Sequence, residues 1–127
     1  FYIARAAETL LLRAEAKLRK GDATGAAADI NEVRERAHAP LVTPGDVTID
    51  YILDERVREL YAEENRWQTL LRMGGDIARN RIMKYAVNFA DYPAKKSGEP
   101  WTDFLWPIPQ STIDSNIDAI LEQNPGW

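Results

Sequence analysis

Three glutamates at four-residue spacing are the residues of this chain best placed to do chemistry. Glu55, Glu59 and Glu63 fall in a stretch with helical periodicity, where positions four apart share one face. Such a row of carboxylates is typical of metal sites and of acid–base catalysis. Helical carboxylate metal sites also need Glu-x-x-His motifs, and His38, the single histidine, lies outside this stretch. We therefore predict no metal site and interpret the row as structural.

The same stretch places charged residues on the side of the helix that must be buried. Arg56, Glu59 and Glu63 project within or beside its apolar stripe. An unpaired charge in such a position is strongly destabilising, so each must find a partner. We predict that these three residues form a structural ion network. Arg34 and Arg36, on the preceding helix, are candidate partners.

No other constellation in the sequence supports catalysis. A glycosidase needs two suitably spaced carboxylates in a cleft, but among 20 acidic residues such pairs arise by chance. His38 has neither a cysteine nor a Gly-x-Ser-x-Gly elbow to work with, and its place at a helix end near a proline favours a surface position. The sequence therefore predicts no catalytic residue, no cofactor and no enzymatic activity.

Three aromatic residues lie in a polar, proline-containing segment, residues 86–102, which we predict to be a long surface loop. Sugar rings pack on aromatic faces, while their hydroxyls need hydrogen-bonding partners. Trp101, Tyr92 and Phe89 are therefore the candidate ligand-binding residues. Aromatic residues in such loops also fold back on the core or mark a protein interface, so that alternative stays open.

The elements that position these residues are predicted to be helical. Apolar residues recur at three- and four-residue steps up to Leu18, and Gly21 is typical of a helix end. Asp22 or Thr24 can cap a second helix, whose alanines allow close packing. Residues 1–38 are thus predicted to form a helical hairpin of the tetratricopeptide type.

One long central helix is predicted over residues 48–73, ending before a pair of glycines. Thr43, Asp46 or Thr48 can initiate it, because the two prolines just upstream break the preceding helix. A shorter, less regular helical patch follows the glycines. The predicted fold class is therefore all-α, with irregular loops.

The C-terminal tail, residues 103–127, begins with an extended, proline-containing stretch. Ser111 and Asp114 resemble a capping box, which favours a short helix from near Thr112 towards Leu121. An Asn-Pro-Gly turn then closes the chain.

The overall composition excludes several classes of function. The 127 residues include 16 basic and 20 acidic side chains, and the resulting net charge of −4 argues against nucleic-acid binding. No apolar run reaches the roughly 18 residues of a membrane span. Cysteine is absent, which excludes disulfides and thiol catalysis within these residues. Because the chain begins without methionine or a signal peptide, we expect a fragment or a processed chain.

Two segments resemble the C-terminal part of SusD/RagB proteins. They are LDERVRELYAEENRWQTLLR, from Leu53 to Arg72, and LWPIPQSTID followed by QNPGW near the end. The recurring family pattern is matched here by Glu55, Arg56, Glu59, Leu60, Glu63, Arg66, Trp67 and Leu70. Both segments occur in the family's order after a tetratricopeptide-like hairpin, so nearly the whole chain is identified as the C-terminal part of a SusD/RagB-like protein.

The resemblance implies a binding function without catalysis. Proteins of this family capture glycans or other nutrients at the surface of Bacteroidetes-type bacteria, and sit as a lid on a TonB-dependent transporter. We therefore expect an oligosaccharide or other nutrient as ligand and a SusC-like TonB-dependent transporter as partner. The expected location is the outer membrane, through a lipid anchor upstream of this chain. The alternative is a helical-repeat adaptor that binds another protein through its hairpin.

Overall fold

The computed structural model of the chain describes residues 5–85 and 107–124. Over these two ranges it contains six α-helices and no strand, which confirms the predicted all-α class. The chain divides after Asn65 into two compact units, an N-terminal unit with the first three helices and a C-terminal unit with the other three. The helices are α1 Ala6–Arg19, α2 Ala23–Arg36, α3 Ile49–Glu59, α4 Arg66–Met73, α5 Gly75–Tyr85 and α6 Gln110–Ser115.

Helices α1 and α2 form the predicted hairpin, and its turn is made by the residues that the sequence singles out. Gly21 has a φ of +86°, a left-handed conformation that glycine adopts without steric cost. The Asp22 side chain then accepts a hydrogen bond from the Gly25 amide over 2.7 Å, which caps the first turn of α2. A glycine end followed directly by an aspartate cap makes a short connection, so α2 packs along α1.

The core of the N-terminal unit lies where α3 packs against the hairpin. Leu11, Ile30 and Ile52, one from each helix, are fully buried. Alanines on α1 and α2 let the two backbones approach closely, so aliphatic side chains of three helices meet in one cluster. The buried members of this cluster are Ala7, Leu11, Ala14, Ala26, Ala27, Ile30, Val33, Val42, Val47, Ile52 and Leu60.

The connection between α2 and α3 is fastened to the hairpin by an asparagine side chain. Asn31 donates to the Val42 carbonyl over 3.0 Å and accepts from the Val42 amide over 2.8 Å. A short 3-10 turn, Pro44–Asp46, follows. Of the three candidate initiators, Thr48 caps α3, because its hydroxyl accepts a hydrogen bond from the Tyr51 amide.

In place of one continuous helix over residues 48–73, the structure has two. Helix α3 ends at Glu59 and α4 begins at Arg66. Between them Ala62 has a φ of +61°, which an α-helix does not allow. The apolar periodicity that predicts a single helix continues through this break, so the periodicity alone could not locate it.

The C-terminal unit contains α4 and α5, which pack on each other, and the short helix α6. The expected start of α6 near Thr112 and its end near Leu121 are corrected to Gln110 and Ser115. Since the helix begins two residues earlier, Ser111 lies inside it and the predicted capping box does not form; instead, the Gln110 side-chain amide donates to the Asp114 carboxylate.

The segment after α6 is not helical, and the Gln123 side chain joins it to the residues before α6. The Gln123 amide group donates to the Ile108 carbonyl over 3.0 Å and accepts from the Ile108 amide over 2.8 Å. The loop predicted over residues 86–102 and the start of the tail, residues 103–106, lie outside the described residues.

Candidate functional site

Glu55 and Glu59 of the glutamate row lie on α3, and Glu63 lies just beyond its end; all three pair with arginines. Glu55 accepts hydrogen bonds from Arg34 over 2.6 Å and from Arg58 over 2.7 Å. Both guanidinium groups also lie within 6 Å of the Tyr51 ring centroid, at 5.9 and 5.6 Å. The Glu55 carboxylate is buried, so the two arginines supply the compensation that a buried charge requires.

Glu59 and Glu63 share one arginine from the start of α1. Arg5 donates to the Glu59 carboxylate over 3.0 Å and to the Glu59 carbonyl over 2.9 Å, and its Nε donates to Glu63 over 2.6 Å. Arg36, at the end of α2, donates to the same Glu59 carboxylate. The hydrogen bond to Glu63 raises the pKa of Arg5. This cluster ties the start of α1 and the end of α2 to the last turn of α3.

Arg56 is buried in the N-terminal unit and has a different partner. Its Nε donates to Glu64 Oε1 over 2.5 Å, and both side chains are buried, with exposed fractions of 2% and 5%. Its Nη2 is 3.6 Å from Glu8 Oε1 on α1. Over residues 5–85 and 107–124, its Nη1 finds no hydrogen-bond partner. The neutralisation of Arg56 therefore rests chiefly on Glu64.

Sequence reasoning missed a second buried charge, Asp29 on α2. Its carboxylate is only 4% exposed and accepts hydrogen bonds from Arg13 over 2.7 Å and from Lys17 over 2.9 Å. The hydrogen bond from Arg13, helped by the one from Lys17, holds the pKa of Asp29 below its usual value. The signal was present in the sequence, because Asp29 falls on the apolar face between Ala26 and Val33.

The carboxylates of the glutamate row are engaged in salt bridges. Glu55, Glu59 and Glu63 each lie in a salt bridge with arginine. No group of three or more metal-ligating side chains is found in the part of the chain that the structure describes. His38 is exposed at the end of α2 with a φ of +53°. Among the described residues, salt bridges from α3 reach residues of α1 and α2 and Arg5, just before α1.

The three candidate ligand-binding residues, Trp101, Tyr92 and Phe89, lie outside the described residues. Within the N-terminal unit, a groove of about 460 Å³ lies between the start of α1 and the end of α2. Its walls combine apolar and charged side chains, namely Arg5, Ala6, Ala7, Leu10, Glu32, Val33 and Arg36. Its two arginines are those that bind Glu59.

None of the described helices is both long and apolar enough to cross a bilayer.

The fold and its inward-facing ion pairs define an all-α protein with a tetratricopeptide-like hairpin. The chain belongs to the SusD family, whose model matches residues 1–127. It is 35% identical to the starch-binding protein SusD of Bacteroides thetaiotaomicron over 97% of this chain and 21% of that protein. It is 40% identical to the SusD-like protein P38 of Formosa agariphila over 54% of this chain and 16% of that protein.

The chain thus spans about a fifth of the length of these curated relatives. No solved structure matches it significantly.

Proposed function

We propose that this chain is the C-terminal part of a protein that captures a glycan or another nutrient at the bacterial surface, without catalysis. The observation that carries the proposal is the 35% identity to a starch-binding protein over 97% of the chain. The glutamates that could have indicated catalysis are engaged by arginines, which supports a binding function.

Within this function, the N-terminal unit acts as a frame. Its buried carboxylates and arginines join three helices, and a frame of this kind holds ligand-contacting loops in position. The proposed ligand contacts are Trp101, Tyr92 and Phe89, because aromatic faces pack on sugar rings. Specificity then depends on loop contacts and not on the fold itself.

The proposed partner is a SusC-like TonB-dependent transporter, and the proposed location is the surface of the outer membrane, through a lipid anchor upstream of this chain. The support for both is membership of the SusD family.

The experiment is a calorimetric titration of the intact protein that contains this chain with malto-oligosaccharides, and with cello-oligosaccharides and peptides as comparison ligands. Saturable binding of one glycan class, with the glycan recovered at unchanged length by chromatography, is the expected result. Binding of protein partners alone, with no glycan response, would favour the helical-repeat adaptor. Shortening of the glycan would contradict the non-catalytic assignment.

A further inference from the structure

We propose that residues 116–124, which follow α6, form a docking surface for a part of the same protein that lies outside this chain. Two isoleucines of this segment, Ile117 and Ile120, are almost fully exposed, with exposed fractions of 92% and 94%. A single exposed isoleucine is ordinary, but two that lie three positions apart leave in water apolar area that burial would stabilise. The inference rests on the proposed function in one respect, namely that this chain is part of a longer protein.

The backbone of this segment is held in place although its side chains are exposed. The Gln123 side chain bonds both the amide and the carbonyl of Ile108, and its Oε1 also accepts from the Asn124 amide over 2.9 Å. These bonds close the chain into a loop around α6. None of the residues 107–124 is buried. The isoleucines are therefore presented on a loop that is already closed, which lowers the cost of ordering it when a partner surface binds.

The charges of the segment indicate the chemistry of the surface that covers it. Residues 107–124 contain the three carboxylates of Asp114, Asp118 and Glu122, and neither lysine nor arginine. Burial of the isoleucines brings neighbouring carboxylates to the edge of the contact, where cationic partners are needed to offset their loss of water. The complementary surface therefore combines an apolar pocket with lysine or arginine at its rim.

Two observations place this complementary surface in the same polypeptide and not in a separate protein. The match to the starch-binding protein SusD covers 97% of this chain but only 21% of that protein, so most of the relative lies outside the match. A stable interface between separate proteins takes roughly 20 residues a side, far more than the two isoleucines and their acidic neighbours supply. A surface in the same polypeptide is present at high effective concentration, so a small contact is enough.

The test uses the intact protein that contains this chain, with the photo-crosslinking residue p-benzoylphenylalanine placed at position 117 or at position 120. The crosslinked peptides are mapped by mass spectrometry on material that migrates as a monomer. We expect crosslinks to peptides outside these 127 residues that contain lysine or arginine. The same residue placed at Thr112, a polar and exposed position of α6, is the matched control and should give far fewer of them.

Three outcomes would overturn the proposal: crosslinks confined to these 127 residues, crosslinks to other proteins alone, and no crosslink at either position. The crosslinks do not require a glycan. A failed glycan titration would therefore contradict the proposed function and leave this proposal standing.

The double variant Asp118→Asn/Glu122→Gln tests the basic rim, because it removes two charges and keeps side-chain shape. The crosslink yield at position 120 should fall in this variant, and an unchanged yield would contradict the basic rim. If the substituted proteins do not fold, methyl NMR of the isoleucine-labelled wild type with a soluble paramagnetic agent decides. Methyl signals of Ile117 and Ile120 that are protected from broadening support the proposal, and signals broadened like those of fully solvated groups contradict it.

Discussion

Arg56, the most deeply buried cation of the N-terminal unit, is neutralised by Glu64, which lies beyond the end of its own helix. The hydrogen bond between Arg56 Nε and Glu64 Oε1 is 2.5 Å long and both side chains are shielded from water. A charge-assisted bond in such surroundings is strong, and the loss of either member leaves an uncompensated buried charge. The pair therefore joins α3 to the segment that follows its C-terminal end.

The first prediction concerns the stability of this pair. Glu64→Ala should lower the free energy of unfolding by about 3 kcal/mol, because Arg56 then remains buried without its main partner. Urea unfolding followed by circular dichroism measures the change.

Glu63→Ala is the control for this prediction, because its side chain is 49% exposed and its pair with Arg5 is screened by solvent. Its effect should be much smaller. If Glu64→Ala and Glu63→Ala lower the free energy of unfolding equally, burial does not determine how much the Arg56–Glu64 pair stabilises the fold.

The second prediction is a pH dependence of stability through Asp29. Arg13 and Lys17 lower the pKa of Asp29 in the folded state below the ordinary value of 3.8. The unfolded chain therefore binds the proton more readily, so the stabilisation is complete above pH 5 or thereabouts and is lost as the pH falls through 3.8 towards the folded-state value. Urea midpoints measured at intervals from neutral pH to about pH 3 follow this loss.

Asp29→Asn keeps the shape of the side chain and removes its titration. The variant should be less stable than the wild type at pH 7, and the difference should shrink as the pH falls below 4 or so. Parallel stability curves for the two proteins would contradict the assignment of the lowered pKa to Asp29.

The third prediction concerns the hairpin turn. Asp22→Ala removes the acceptor of the Gly25 amide and should destabilise the N-terminal unit by about 1 kcal/mol. Asp22→Asn preserves a capping oxygen and should stay close to the wild type in the same unfolding experiment. If both variants lose the same stability, the charge of Asp22 matters and its capping role does not.

The fourth prediction concerns the proposed ligand contacts. Alanine at Trp101, Tyr92 or Phe89 should each weaken glycan binding by about tenfold, or 1.4 kcal/mol, without changing the circular dichroism spectrum. Tyr61→Ala, which removes an exposed aromatic ring of the N-terminal unit, is the control and should leave the affinity unchanged. Wild-type affinity in all three loop variants would remove these residues from the proposed site.

Much of the fold could be predicted from local sequence signals. The helix end at Gly21 and the caps of α2 and α3 depend on residues within a few positions of one another. The structure confirms the end at Gly21, and it selects Asp22 and Thr48 from the candidate caps. The family pattern likewise pointed to the SusD family, which the family model confirms.

The rest depended on contacts between residues distant in sequence. Helical periodicity continues through residues 60–65, but α3 ends at Glu59, and Arg56 pairs with Glu64 beyond that end, a contact that the periodicity does not indicate. Arg5 binds Glu59 and Glu63 from 54 and 58 positions away, and no local pattern indicates such a partner. Asp29 could have been recognised from its place on an apolar face, but its two cationic partners could not be assigned without the packing of α1 on α2.

The measurement that tests the central claim most directly is co-purification from the native cell. The intact protein is tagged, the outer membrane is solubilised in mild detergent, and the partners are identified by mass spectrometry. A large TonB-dependent barrel in near-equal amount is the result that the proposed nutrient-capture function predicts. Recovery of water-soluble protein partners alone, with no barrel, would contradict it and favour a helical-repeat adaptor.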